Sequence, residues 1–115
     1  MRYVLSAASE PGAWDKLSDE ERAAWVADDA AFNVELADRD IVVFGIGLAD
    51  ADTATTVRID AGEAVLTDGP FAETAEHLGG LLVIDVADLD EALDVARRCP
   101  AARLGPLEVR PERGG

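Results

Sequence analysis

Leu81-Leu82-Val83-Ile84-Asp85-Val86-Ala87-Asp88-Leu89-Asp90-Glu91 is the stretch on which the fold turns. Its first six residues, apolar but for Asp85, are of strand length and read as a central strand. Asp88-Leu89-Asp90-Glu91 then caps a helix, with Leu89, Ala92, Leu93 and Ala96 on its inner face and Pro100 at its end. Leu107-Glu108-Val109-Arg110 alternates as a final, half-exposed strand. The C-terminal half is therefore strand, helix, strand.

The same unit stands upstream. Residues 3–8 are apolar and read as a buried strand, ended by Pro11-Gly12. Ser18-Asp19-Glu20-Glu21 is a capping box with three acids in the first turn, predicting a helix to about Asp38. Trp25, Phe32 and Leu36 share one face of it. Ile41-Val42-Val43-Phe44-Gly45-Ile46-Gly47-Leu48 reads as a strand buried on both faces or nearly so. Gly45 and Gly47 point to one side of it, where another group can approach the backbone. This Gly-x-Gly is no dinucleotide fingerprint: Asp50 stands where the third glycine belongs, and no helix opens there. Thr53 to Ile59 and Glu63 to Thr67, joined by Asp60-Ala61-Gly62, form a hairpin that Asp68-Gly69-Pro70 stops.

With the hairpin set partly aside, the order is a split βαβ pair. The expected fold is α+β and ferredoxin-like, an antiparallel sheet with two helices on one face. Strands as apolar as 41–46 and 81–84 leave a second face in need of cover. A second copy of the chain is the expected cover, giving a homodimer packed sheet against sheet.

Composition sets outer bounds. A chain of 115 residues is read as one domain over 1–115, and 49% hydrophobic residues are too many for disorder. Twenty-four acids against ten bases leave a net charge of −14, which disfavours nucleic acid and anionic membrane surfaces as partners. No run approaches the ~20 apolar residues of a membrane span. The first ten residues make a poor secretory signal, and the single Cys99 forms no internal disulfide. A cytoplasmic location is expected, with a structural role for Cys99. Residues 41–93 hold eleven acids and only Arg58, a net of −10, whereas 94–115 hold five arginines and three acids. Arg97, Arg98, Arg103 and Arg110 either form an anion site or merely offset acids.

Four side chains are candidates for acid/base chemistry. Asp29 falls on the apolar stripe of the first helix, four after Trp25 and three before Phe32. It either reaches water at the stripe's edge or faces a pocket, where desolvation favours the protonated acid. Asp68-Gly69-Pro70-Phe71 is either a stiff turn or a pocket rim. In the turn reading, Asp68 bonds backbone N–H groups two residues on, Gly69 takes a positive φ, and Phe71 anchors the loop in the core. In the rim reading, Asp68 faces a ligand. His77 follows Glu73 by four and adjoins Glu76, so it is either a solvent-exposed loop residue or a proton carrier. Asp50-Ala51-Asp52 and Asp88-Leu89-Asp90-Glu91 lack EF-hand spacing, and no Cys/His set suits zinc. No metal or cofactor is expected.

Thr67-Asp68-Gly69-Pro70-Phe71-Ala72-Glu73-Thr74, followed by Leu78-Gly79-Gly80-Leu81, resembles the signature of the YCII-related superfamily, in its DGPF branch. Thr55-Thr56-Val57-Arg58, Ile84-Asp85-Val86, Asp90-Glu91-Ala92, Pro100-Ala101-Ala102 and Leu107-Glu108-Val109-Arg110-Pro111 agree with it, so the resemblance covers nearly the whole chain. It implies a ferredoxin-like fold of the dimeric α/β-barrel group. The branch is largely uncharacterised, and some members are adjacent or fused to extracytoplasmic-function sigma factors, which implies such an association here. More distant YCII-like proteins include a dehydrochlorinase of aromatic degradation, whose resemblance implies a histidine on the first helix and an acid near the end of the first strand. Glu10 stands near the acid position and Asp29 near the histidine position, so that dyad lacks its histidine. Ala75 stands where the branch usually has lysine.

Two functions are therefore expected. One is a dimeric module that binds a small molecule or a partner, with Asp68, Gly69, Pro70, Phe71 and Trp25 as ligand-binding residues. The other is a small YCII-type enzyme with lyase-like or dehydrochlorinase-like acid/base chemistry on an apolar or aromatic substrate. Its pocket would lie between the first helix and the sheet, with Asp29, Asp68, His77 and Glu10 as catalytic groups. The acidic centre of the chain predicts that a pocket near the DGPF loop prefers neutral or cationic ligands.

Overall fold

In the computed structural model, residues 1–71 and 75–114 are described. Glu73, four residues before His77, lies outside them, as do Ala72 and Thr74 of the DGPF signature. The strands are β1 (Arg2–Ser9), β2 (Val42–Gly47), β3 (Thr55–Asp60), β4 (Glu63–Asp68), β5 (His77–Asp85) and β6 (Leu107–Pro111), and the helices are α1 (Asp19–Arg39) and α2 (Leu89–Arg98). Strands β2, β5, β1 and β6 form an antiparallel sheet in that order, while β3 and β4 pair as a separate two-stranded sheet. With that hairpin removed, the strand order is the ferredoxin-like one expected from the sequence.

Local chemistry explains the elements. Ser18 Oγ accepts from the Glu21 N–H at 3.1 Å, and the Glu21 carboxylate accepts from the Ser18 N–H at 2.9 Å, which closes the capping box of α1. That bond to Ser18 holds the Glu21 carboxyl below its ordinary range. The Asp88 carboxylate caps α2 at 2.9 Å from the Glu91 N–H. Ala61 and Gly62 turn the hairpin at φ of 51° and 83°, the type I′ geometry that matches strand twist.

One face of the four-stranded sheet carries the core. Tyr3, Leu5 and Ile84 are buried there against Phe32 and Leu36 of α1 and Ala92, Val95 and Ala96 of α2. Leu89 is 47% exposed and Val95 is fully buried, which corrects the face read for α2: its first residue is turned to solvent. Ion pairs join the helical layer. Arg39 reaches Glu91 at 3.0 Å, Arg103 reaches Asp28 at 3.0 Å, and Arg98 bonds Glu35 and Asp94. With Arg110 paired to Glu108, three of the four C-terminal arginines in question meet carboxylates of the chain itself.

The opposite face is bare. Cross-strand register sets Val4, Val83 and Phe44 in one row and Ser6, Leu81 and Ile46 in the next. Phe44 is 52% and Ile46 48% exposed, and every residue of β2 is exposed. The reading of 41–48 as buried on both faces is thus corrected for the single chain. β2 is an edge strand, packed on one flank by β5 alone. Among the described residues, no helix is long and apolar enough to cross a membrane.

Candidate functional site

A hollow of about 420 Å³ lies between α1 and the helix-facing side of the sheet. Its floor is built by small residues. Gly45 and Gly47 of β2, Gly80 of β5 and Ala7 of β1 occupy register positions in line with the buried Leu5 and the partly buried Leu82. The side chains missing at the three glycines, and the single methyl of Ala7, leave the space that a helix packed on a sheet would ordinarily fill. Trp25, Asp29, Phe32 and Asn33 of α1 form the roof, and Cys99, Ala101 and Leu104 close one end.

The roof is held in place by directional contacts. Trp25 Nε1–H donates to the Pro100 carbonyl at 2.9 Å, and Trp14 meets the Trp25 ring edge-on at 5.4 Å. Asn33 Nδ2 donates to Asp29 Oδ2 at 3.4 Å, one helical turn away. Asp29 is half-buried. The lining is otherwise dominated by Leu5, Phe32, Leu82, Leu104 and Leu107. Burial pushes the Cys99 thiol above its ordinary value, and the Asp29 charge pushes the same way against backbone bonds from Ala101 and Ala102. The thiol is therefore protonated at neutral pH and a weak nucleophile.

A second hollow, of about 610 Å³, opens between the loop after β1 and the loop after β2. Glu10, Asp15, Asp50 and Asp52 line it with Trp14, Pro70 and His77. Among the described residues, no lysine or arginine lines it. Glu10 is engaged by Lys16 at 3.6 Å. Among the described residues, no three His, Cys, Asp or Glu side chains converge as a metal set.

The candidates read from the sequence are therefore divided. Asp29 and Trp25 line the first hollow, and Glu10, Pro70 and His77 line the second. Asp68, Gly69 and Phe71 line neither. Phe71 is 76% exposed, so it does not anchor its loop in the core. Nor is the turn an Asx turn: the residue two after Asp68 is Pro70, which has no N–H to give. The turn is ordered from β3 and its approach instead. Gly69, at φ 97°, donates its N–H to Ala54 O at 2.7 Å, Thr56 Oγ1 donates to Gly69 O at 2.7 Å, and Arg58 donates to Phe71 O at 3.0 Å.

Asn33 was missed by sequence reasoning, although its place four after Asp29 on one helix face was the available signal. Gly79, Gly80 and Cys99 also line the hollow, where the sequence marks the two glycines only as part of a signature and Cys99 only as structural.

Comparison with known proteins gives three results. The profile of the YCII-related domain matches residues 1–112. An uncharacterised protein of Rhizobium meliloti is 52% identical over 66 residues, 56% of this chain. The match spans 53%, about half, of that relative's length. The solved structure of the 5-chloro-2-hydroxyhydroquinone dehydrochlorinase TftG of Burkholderia phenoliruptrix, in complex with 2,5-dihydroxybenzoquinone, superposes with a TM-score of 0.59 at 17% identity. That superposition covers 100% of this chain and 96% of the other, and it carries the fold alone.

Proposed function

The chain belongs to the YCII-related domain family, and from that premise we propose a homodimeric, cytoplasmic small-molecule-binding module whose ligand sits between α1 and the sheet. The observation that carries the proposal is the glycine-floored hollow with one carboxylate–amide pair in its roof. About 420 Å³ suits one small molecule. Apolar walls favour a flat, largely apolar body, and Asp29 asks for a hydroxyl or amine donor on it. The dimer is supported by the bare sheet face with Phe44 and Ile46 in it.

The alternative is a YCII-type enzyme acting on a small aromatic substrate in the same hollow, with Asp29 as proton carrier. The presence of Asp29 in the lining is the observation that favours it. Against it, the hollow holds no histidine, and Glu10, His77 and Asp68 lie elsewhere. Binding is therefore the preferred reading.

A thermal-shift screen with small hydroxylated aromatics tests both. A binder raises the melting temperature by mass action. The expected result is a set of hits whose shift disappears in Asp29→Ala. Hits that persist unchanged in Asp29→Ala, or no hits at all, count against the site, and conversion of a hit to product by the wild-type chain selects the enzyme.

A further inference from the structure

The β3–β4 ribbon has an apolar side turned to solvent. Register sets Val57 opposite Leu66 and Ile59 opposite Ala64 on that side, with Thr56 opposite Thr67 on the other. Val57, Ile59 and Leu66 are 59%, 70% and 66% exposed. A lone two-stranded ribbon is marginal in water, because one ribbon has nothing to bury its apolar side against. This one pairs with no strand of the main sheet. It also spreads the molecule: the radius of gyration is 16.2 Å, against about 13 Å for a compact domain of this length.

We infer that the β3–β4 ribbon is an exchanged arm, which lays Val57, Ile59 and Leu66 against the Phe44 and Ile46 row on the bare sheet face of a second copy of this chain. The inference rests on the dimer proposed above and adds the element that holds it together. A second copy is the favoured occupant for two reasons. Each chain carries both an unpartnered arm and an unpartnered row, so a twofold exchange covers both in both copies and leaves no contact open. The two surfaces also match in kind: Val57, Ile59 and Leu66 on the arm and Phe44 and Ile46 on the row are large apolar side chains that each stand about half exposed or more. Val57, Ile59, Leu66, Phe44 and Ile46 carry no charge, and Asp68, which shares their side of the ribbon, stands at its base away from the turn, so the apolar contact itself brings no like charges of the two acidic chains together.

Sedimentation velocity and hydrogen exchange on the full chain test the arm. The wild type is expected at twice 12.1 kDa at micromolar concentration, with slow exchange over residues 55–68. The double variant Ile59→Asp, Leu66→Asp is expected as a folded monomer with fast exchange there. Both positions are exposed, so the monomer's own packing is untouched, and circular dichroism checks this. Phe44→Asp, on the receiving row, is expected to give the same monomer. If both charged variants remain dimeric, or if residues 55–68 exchange without protection in the wild-type dimer, the arm is overturned while the dimer stands. A monomeric wild type overturns both.

Discussion

The indole N–H of Trp25 and the carbonyl oxygen of Pro100 are 2.9 Å apart, and this bond spans 75 residues of sequence. It ties the roof of the hollow to its end wall. Trp25→Phe keeps most of the apolar area and removes the donor. The carbonyl, which opens the short 3-10 helix Pro100–Arg103, then loses one of its hydrogen bonds, at a cost of about 0.5–1.5 kcal/mol. We expect a melting temperature several degrees lower and a smaller ligand-induced shift, both read by calorimetry.

Gly47 gives access to the hollow without a steric penalty. A Cβ there meets nothing within 4 Å, although the residue lies in the floor. Gly47→Leu is expected to fold with a melting temperature at or slightly above that of the wild type. The thermal-shift hits are expected to vanish. Retained hits in a folded Gly47→Leu chain would show that they bind elsewhere.

Gly105 behaves oppositely. A Cβ there would stand 1.9 Å from the Ala8 carbonyl oxygen and 2.9 Å from Ser9 Cα. Ala8 donates its N–H to Pro106 O at 3.1 Å, so the two backbones are already in close contact. Gly105→Ala must push the approach to β6 away from β1. Urea unfolding is expected to show a loss of at least about 1–3 kcal/mol, the usual cost of overpacking.

Cys99 gives the chain an alkaline limb. Its folded pKa is raised above the ordinary value of 9.0, so above that value the unfolded chain releases the proton first. The stability it contributes is present below pH 9 and is lost as pH rises through the folded value. In Cys99→Ala, the fall in melting temperature above pH 9 should be shallower than in the wild type. Thiol labelling of the native wild type at pH 8 should be slow, and slower still with a ligand in the hollow.

Ser18→Ala opens the capping box of α1. The expected loss is about 0.5–2 kcal/mol. Chemical denaturation measures it, and the Glu21→Ala variant should cost less, because the Glu21 N–H still finds Ser18 Oγ.

Much of the fold was legible because its signals are local. The capping box at Ser18, the punctuation at Pro11-Gly12 and Pro100, and the apolar run at 81–84 each act within a few residues, and the strand order follows from them. Exposure was not legible in the same way. The apolar residues of 41–48 say that the strand prefers cover, and nothing in the run says whether its own chain supplies it. Phe71 failed for the same reason: hydrophobicity names a preference, and the path of the chain decides whether a core lies within reach. The Asp68 turn was a different failure, since Pro70 already stood in the sequence without an N–H. For the site, the i, i+4 pair of Asp29 and Asn33 and the glycines at 45 and 47 were readable. The separation of Glu10 and His77 from Asp29 was not, because it depends on which side of the β1 loop each one falls.

The floor of the hollow is shaped by omission, and its three β-strand glycines differ in how much change they tolerate. A Cβ on Gly80 would press on Ile46 O at 3.1 Å, one on Gly45 would touch Leu82 Cδ1 at 3.4 Å, and one on Gly47 would meet open space. Ligand size is therefore adjustable by single carbons at one position, while the hydrogen-bonding pair sits on a different element across the hollow. Descendants of this chain could drift in the size of molecule they accept without altering the polar group they select for.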